Sequence, residues 1–277
     1  MDMIQEMTLA TIHDWLKTAD AMVINTGAGM GIDSGLADYR GSGGQWGNVE
    51  SETGKSVFDV VNPKNLLENP KYMWTFFGNR MKNYADTKPH NGFNILKNWI
   101  AKFELDYFAN TSNIDGHFQK AGFEPDKIRE LHGSIFHFQC SKPCSNQIWE
   151  INYNPQQIML DANKGNYPTC PYCGAMSRPN IYMFRDNTFL SDRNDVQEKK
   201  FQEYLSQNQG KSMLVFEIGS GPHVQSIRKK TRMLGIHHQA KIVRINPKDF
   251  KIKEPHIGIN LGALEALEGI DGYIQMK

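Results

Sequence analysis

Four short apolar runs limit what this chain can fold into more than any other feature. They are AMVIN (21–25), LDYFAN (105–110), MLVFEIG (213–219) and AKIVRIN (240–246). Runs of this length without polar alternation are typical of parallel strands, whose two faces are both covered by helices. Helix-like stretches separate them. Residues 8–19 carry the one-sided stripe Ile12, Trp15 and Leu16; 56–103 are aromatic-rich and mainly helical; HVQSIRKKTRML follows the third run. A helix at 262–268 and a final short strand are expected to close the chain. Strands alternating with helices predict an α/β fold, a doubly wound parallel sheet. In such sheets ligands bind beyond the carboxyl ends of the strands, where loops and helix N-termini converge. Three of the four runs lead into small or polar residues there: NTGAG, NTSN and GSGP.

A chain of 277 residues allows one large domain, or one domain carrying a smaller insert. Its 31 basic and 30 acidic residues leave a net charge of +1, which gives no electrostatic reason to expect nucleic acid or an anionic membrane as partner. The start, MDMIQEMTL, has acids where a signal peptide needs bases and an apolar core. No apolar run approaches a membrane span. A soluble, cytoplasmic chain is the expectation.

The cysteines fall as Cys140-x3-Cys144 and Cys170-x2-Cys173, with a glycine after the second pair. Short-spaced pairs suit a tetrahedral metal, because each turn presents two thiolates to one ion. A structural zinc is the reading, against paired disulfides or unlinked thiols. Four protein ligands leave no open position, so its task would be to fold a ribbon too short for its own core. The segment 136–180 interrupts the strand–helix alternation and reads as an inserted module.

After AMVIN, Gly27, Ala28 and Gly29 allow a tight turn and a close backbone approach to a pyrophosphate. Glycines at 27, 29, 31 and 35 do not match the ordinary dinucleotide fingerprint, and a bland strand-to-helix turn reads equally well at this point. The wider sequence goes further. GAGMGIDSGLADYRG resembles the cofactor loop of the sirtuins, GAGIS-x-x-SGIPDFRG. TSNIDGHFQKAGF (111–123) is similar to their TQNIDGLHQKAG, and ELHGS (130–134) to the segment with their catalytic histidine. RPNIYMF (178–184) resembles RPxVVxF after the last cysteine, while GSG (219–221) and IN (245–246) fall where that family binds adenosine. The matches come in family order over residues 20–270, so the chain is identified as a divergent member.

The resemblance implies a Rossmann-like domain over 1–45, 86–135 and 181–277, a helical insert at 46–85 and a zinc-ribbon module at 136–180. It implies NAD as co-substrate and an acylated lysine of a protein or peptide as partner. The acyl oxygen attacks the anomeric ribose carbon, nicotinamide leaves, and the sugar hydroxyls capture the acyl carbon. His132 would be the general base, suited to an imidazole titrating near neutrality. Asn113 would position the ribose or a water, and Asp115 would receive the carboxamide. Gly27, Ala28, Gly29, Asp38, Tyr39, Arg40 and Ser112 would line the cofactor, with Arg40 answering the diphosphate charge. Gly219, Ser220 and Asn246 would hold the adenosine side. Trp74, Phe76 and Phe77 read as helical core; His117 and His223 receive no role.

The spelling departs from the family in several places. Gly31 stands for a serine and Ala37 for a proline, which should loosen the loop. Ser112 shortens a glutamine, and Phe118 replaces a histidine. The peptide, bound as an added strand between two loops, would meet FRD (184–186) where FGE is usual and GPHV (221–224) where a more apolar loop is usual. Three functions follow: a deacylase releasing nicotinamide and O-acyl-ADP-ribose; an ADP-ribosyltransferase or NAD hydrolase; and a non-catalytic NAD- or ADP-ribose-binding module. The altered peptide loops favour the second and the intact ELHGS disfavours it; Asn113, Asp115 and His132 together argue against the third.

Overall fold

A computed structural model describes residues 4–37, 45–151 and 154–277. Its strands, in chain order, are β1 (Ala21–Thr26), β2 (Asp106–Thr111), β3 (Ile128–Glu130), β4 (Gly133–Cys140), β5 (Ile148–Glu150), β6 (Ser177–Ile181), β7 (Met213–Ile218), β8 (Lys241–Ile245) and β9 (Ile257–Ile259). The helices are α1 (Glu6–Thr18), α2 (Gln45–Thr53), α3 (Val57–Val60), α4 (Pro63–Glu68), α5 (Pro70–Asp86), α6 (Gly92–Lys102), α7 (His117–Lys120), α8 (Pro155–Asn163), α9 (Asp192–Gln207), α10 (Ser226–His237) and α11 (Ala263–Gln275).

Six strands form one sheet in the order β3-β2-β1-β7-β8-β9, with every pair parallel. All six residues of β1 and of β7 are buried, as the unbroken apolar runs require. One face packs on α1, α6 and α11, through residues such as Leu16, Trp99 and Ile270. The other packs on α9 and α10, through Phe201, Tyr204 and Leu234. Helices on both faces make this the doubly wound α/β fold. The four apolar runs of the sequence became β1, β2, β7 and β8. β3 and β9, each of three residues, are additions at the two edges.

The end of the chain differs from expectation. No strand follows the last helix; α11 continues to Gln275. Ala263, Ala266, Leu267, Ile270, Tyr273 and Ile274 are all buried on one stripe, so the apolar residues near 273 obey helical and not strand spacing.

A second, antiparallel sheet has the order β5-β4-β6, and Cys140 is the last residue of its strand β4. Its inner side shares a core with α3, α4, α5 and α8, including Trp74, Phe77 and Phe138. The buried pair Arg178–Asp186 stiffens the exit from β6, where Arg178 also donates to Thr188 Oγ1 at 3.0 Å.

Candidate active site

The carboxyl ends of β1 and β7 meet over three glycines. Gly27 N–H donates to Ile218 O at 2.9 Å, and Gly29 N–H donates to Gly219 O at 3.1 Å. A Cβ on Gly29 would come within 2.6 Å of Gly219 Cα, and one on Gly219 within 2.4 Å of Met30 N. Gly219 also has φ of +65°, which favours glycine. The chain then forms a 3₁₀ turn, Ala28–Ser34, in place of a long helix.

A cleft of about 720 Å³ opens beside this junction. Gly27, Ala28, Gly29, Gly219, Ser220 and Gly221 line it, so one stretch of wall bears nothing larger than a hydroxymethyl group. Backbone can therefore approach an anionic ligand closely, as a diphosphate requires. Ser112, His132 and Asn246 line the same cleft. Asn246 is fixed by donating to Ser220 O at 3.0 Å while its Oδ1 accepts from Lys248 N–H at 2.9 Å and Asp249 N–H at 2.8 Å. Ser220 Oγ donates to buried Glu217 at 2.6 Å, which is itself paired with Arg244. Arg228, which the sequence reading passed over, donates to Ser220 O at 2.9 Å and to Asp249 O at 2.8 Å, tying the two loops together.

Asn113 and Asp115 lie just behind the lining. Asn113 Nδ2 donates to Gly27 O at 3.0 Å, while its Oδ1 is buried without a partner among the described residues. Asp115 Oδ1 accepts from His117 N–H at 2.9 Å. Burial raises the Asp115 carboxyl to about 6. His132 is half-buried, with Nε2 3.4 Å from Ser226 Oγ. Burial lowers its pKa below the ordinary imidazole value, against a hydrogen bond to the backbone of Ser112 that raises it. The imidazole is thus neutral, and a proton acceptor, at neutral pH. Asp38, Tyr39 and Arg40 lie outside the described residues. His223 lines the cleft; His117 is buried with both ring nitrogens unpartnered among the described residues. Trp74 is core, as expected, but Phe77 serves both core and cleft, beside Arg80.

At the mouth, the loop after β6 leans on α3. Phe184 N–H donates to Val61 O at 3.2 Å, the Phe58 and Phe184 rings lie 4.4 Å apart, and Arg185 pairs with Asp59 at 3.1 Å. Arg185 holds φ of +52°, an uncommon conformation for a residue with a side chain.

The four cysteine Sγ atoms lie within 4.8 Å of one another. Cys140 approaches Cys173, and Cys144 approaches Cys170, each at 3.7 Å. A disulfide needs about 2.05 Å, so paired bridges are excluded. Zinc–sulfur bonds of about 2.3 Å in a tetrahedron give sulfur edges of about 3.8 Å. The donor set fits, and these four residues are positioned to bind a structural zinc ion.

Parallel sheet, glycine junction and cysteine cluster together define the class of NAD-binding α/β folds that carry a zinc ribbon. The model of the Sir2 family matches residues 27–225, and the chain belongs to that family. It is 25% identical over 231 residues to an NAD-dependent protein deacylase of Aquifex aeolicus, covering 83% of this chain and 85% of that one. It is 26% identical over 264 residues to NAD-dependent protein deacylase 1 of Caldanaerobacter subterraneus, covering 94% and 96%. Among solved structures, a mutant Sir2 homologue in complex with ADP ribose superposes with a TM-score of 0.75 at 19% identity, over 99% of this chain and 97% of that one. A Sir2 variant bound to a deacetylated p53 peptide and acetyl ADP ribose gives 0.71 at 22% identity, over 95% and 97%. No helix among the described residues is long and apolar enough to cross a membrane.

Proposed function

We propose that this chain is an NAD-dependent protein-lysine deacylase. One observation carries the reading: the small-residue wall at Gly27–Gly29 and Gly219–Gly221 shares a cleft with the neutral imidazole of His132. A diphosphate surface and a base therefore face one cavity. The names of the relatives support the same activity.

Bound NAD would supply a ribose whose anomeric carbon carries nicotinamide as leaving group. The chain's residues do the rest. Backbone at Gly27, Ala28 and Gly29 takes the diphosphate, and Arg40, with Asp38 and Tyr39, is assigned beside it from the sequence. Ser220 and Asn246, both immobilised by hydrogen bonds, take the adenosine half. His132 accepts a proton from a ribose hydroxyl. Asn113, with Oδ1 unpartnered, accepts from a hydroxyl or water that reaches it; Asp115 receives the carboxamide, and Ser112 lies against the ribose. The proposed division is a cofactor domain at 1–45, 86–135 and 181–277, with a helical insert at 46–85 and a zinc module at 136–180. Four cysteines gathered for a metal and not bridged as disulfides suit a reducing compartment, and we assign the chain to the cytoplasm.

A second reading keeps NAD and changes the acceptor to water or a protein side chain. Arg185 favours it: this side chain lines the cleft where the expected loop spelling FGE has a glycine. One experiment separates the two. The protein is incubated with NAD, with and without acetylated or succinylated peptide, and the products are weighed by mass spectrometry. O-acyl-ADP-ribose formed only with peptide is expected. Free ADP-ribose without peptide indicates hydrolysis, a mass gain on protein indicates transfer, and no turnover at all sinks both enzymatic readings.

A further inference from the structure

We propose that His90 is a positioning residue that holds the cofactor-binding turn in its ligand-ready shape. The inference rests on reading the cleft as the NAD site. His90 lies between α5 and α6, buried, and does not line the cleft. Its ring reaches the turn Ala28–Ser34 from behind. Nε2 lies 2.9 Å from Met30 O, and Nδ1 accepts from Gly92 N–H at 3.0 Å. An amide donating to Nδ1 requires that nitrogen to be unprotonated, so Nε2 carries the hydrogen and donates it to the Met30 carbonyl. The main-chain N–H of His90 also donates to Ser34 Oγ at 2.9 Å. One residue thus grips the turn at both Met30 and Ser34.

The seat of the ring is built for it. A Cβ on Gly92 would come within 2.5 Å of His90 Cε1, so the close approach needs glycine there. Phe93 packs against the imidazole at 5.1 Å. On the other side of the turn, Gly219 O and Asn113 Nδ2 fix residues 27–29. Their reach stops at Gly29, and the next residues include Gly31, which has no side chain to resist motion. His90 anchors this second half, helped by the bond from Leu264 N–H to Asp33 at 2.8 Å. Ala28, Gly29, Ile32 and Asp33 of the same turn line the cleft, so fixing Met30 and Ser34 fixes the wall that NAD meets. Pre-ordering of that wall lowers the cost of binding.

The test compares His90→Leu with His90→Gln. Leucine fills the seat but leaves Met30 O and Gly92 N–H unpaired. Glutamine has one donor and one acceptor for them. Loss of a buried bond predicts a KM for NAD raised about fivefold in the leucine variant, with kcat within about twofold of wild type. Amide exchange should quicken over 28–36 and stay unchanged in β7. Glutamine should restore both. A folded leucine variant with unchanged KM and exchange overturns the proposal, as does a glutamine variant impaired like leucine. If neither variant folds, nitrogen-15 spectra of the wild-type imidazole decide: the Nε2–H tautomer is expected, and the Nδ1–H tautomer overturns it. Failure of the wild-type chain to bind NAD refutes the reading of the cleft instead, while the exchange comparison at 28–36 still reports on His90.

Discussion

At His132 and Asp115, burial acts on two groups with opposite results. It disfavours the charged form of each, so the imidazole loses its proton more easily and the carboxyl holds its proton more tightly. Lowering the pH through about 6 neutralises Asp115, while burial moves the protonation of His132 in the acid direction from its ordinary value. The acid limb that Asp115 contributes to kcat/KM should therefore lie near 6. Asp115→Asn should remove that limb and leave a lower, flatter profile; a limb unmoved by the substitution would assign it elsewhere. His132→Ala should cost deacylation at least about 100-fold, with NAD affinity within about threefold, because the ring is assigned to proton transfer and not to the diphosphate. Loss of NAD binding in calorimetry would mean that its role is misassigned. His132 and Asp115 were legible because each sits in a motif of neighbours. His90 was not: its partner Met30 is remote in sequence, and nothing local to KPHNG announces the contact.

Among the elements, the four apolar runs of the sequence were readable because burial on both faces leaves no polar alternation to confuse them. β3 and β9 were missed because three residues carry no period, and the end of α11 because aromatic and β-branched residues there suit either state. Gly27, Gly29 and Gly219 were each read as cofactor-binding, but that Gly219 packs directly on Gly29 became visible only when β7 was brought beside β1. That contact makes a sharp prediction. Gly219→Ala places a methyl against backbone at 2.4 Å in a left-handed conformation, with no flexible neighbour to yield. A cost of at least about 2 kcal/mol is expected, or a fall in Tm of about 5 °C, with NAD titration abolished. Gly221→Ala, with nothing within 4 Å of the added carbon, should melt like wild type. Equal melting of the two variants would remove the junction from the argument.

Across the whole molecule, two sheets rely on different sources of order. The parallel sheet has helices and apolar cores on both faces. The β5-β4-β6 sheet has only three strands, and the long loops between β4 and β6 converge on the cysteine cluster. Its apolar core is shared with α5 and α8, and of the four thiols Cys144 and Cys173 are exposed while Cys140 and Cys170 are buried. The loops therefore depend on zinc, while the helical side does not, since binding energy at a structural site is folding energy for whatever it ties. Removing the metal with a chelator should expose all four thiols to a labelling reagent and quicken amide exchange over 140–176. β1 and β7 should keep their protection, and NAD should still bind, because none of its assigned residues lies between 140 and 176. Deacylation should fall further than NAD binding, since the loop carrying Phe184 and Arg185 leaves the small sheet directly after β6. Exchange rising equally in β7 would show that the two sheets unfold as one unit and that the metal supports the whole chain.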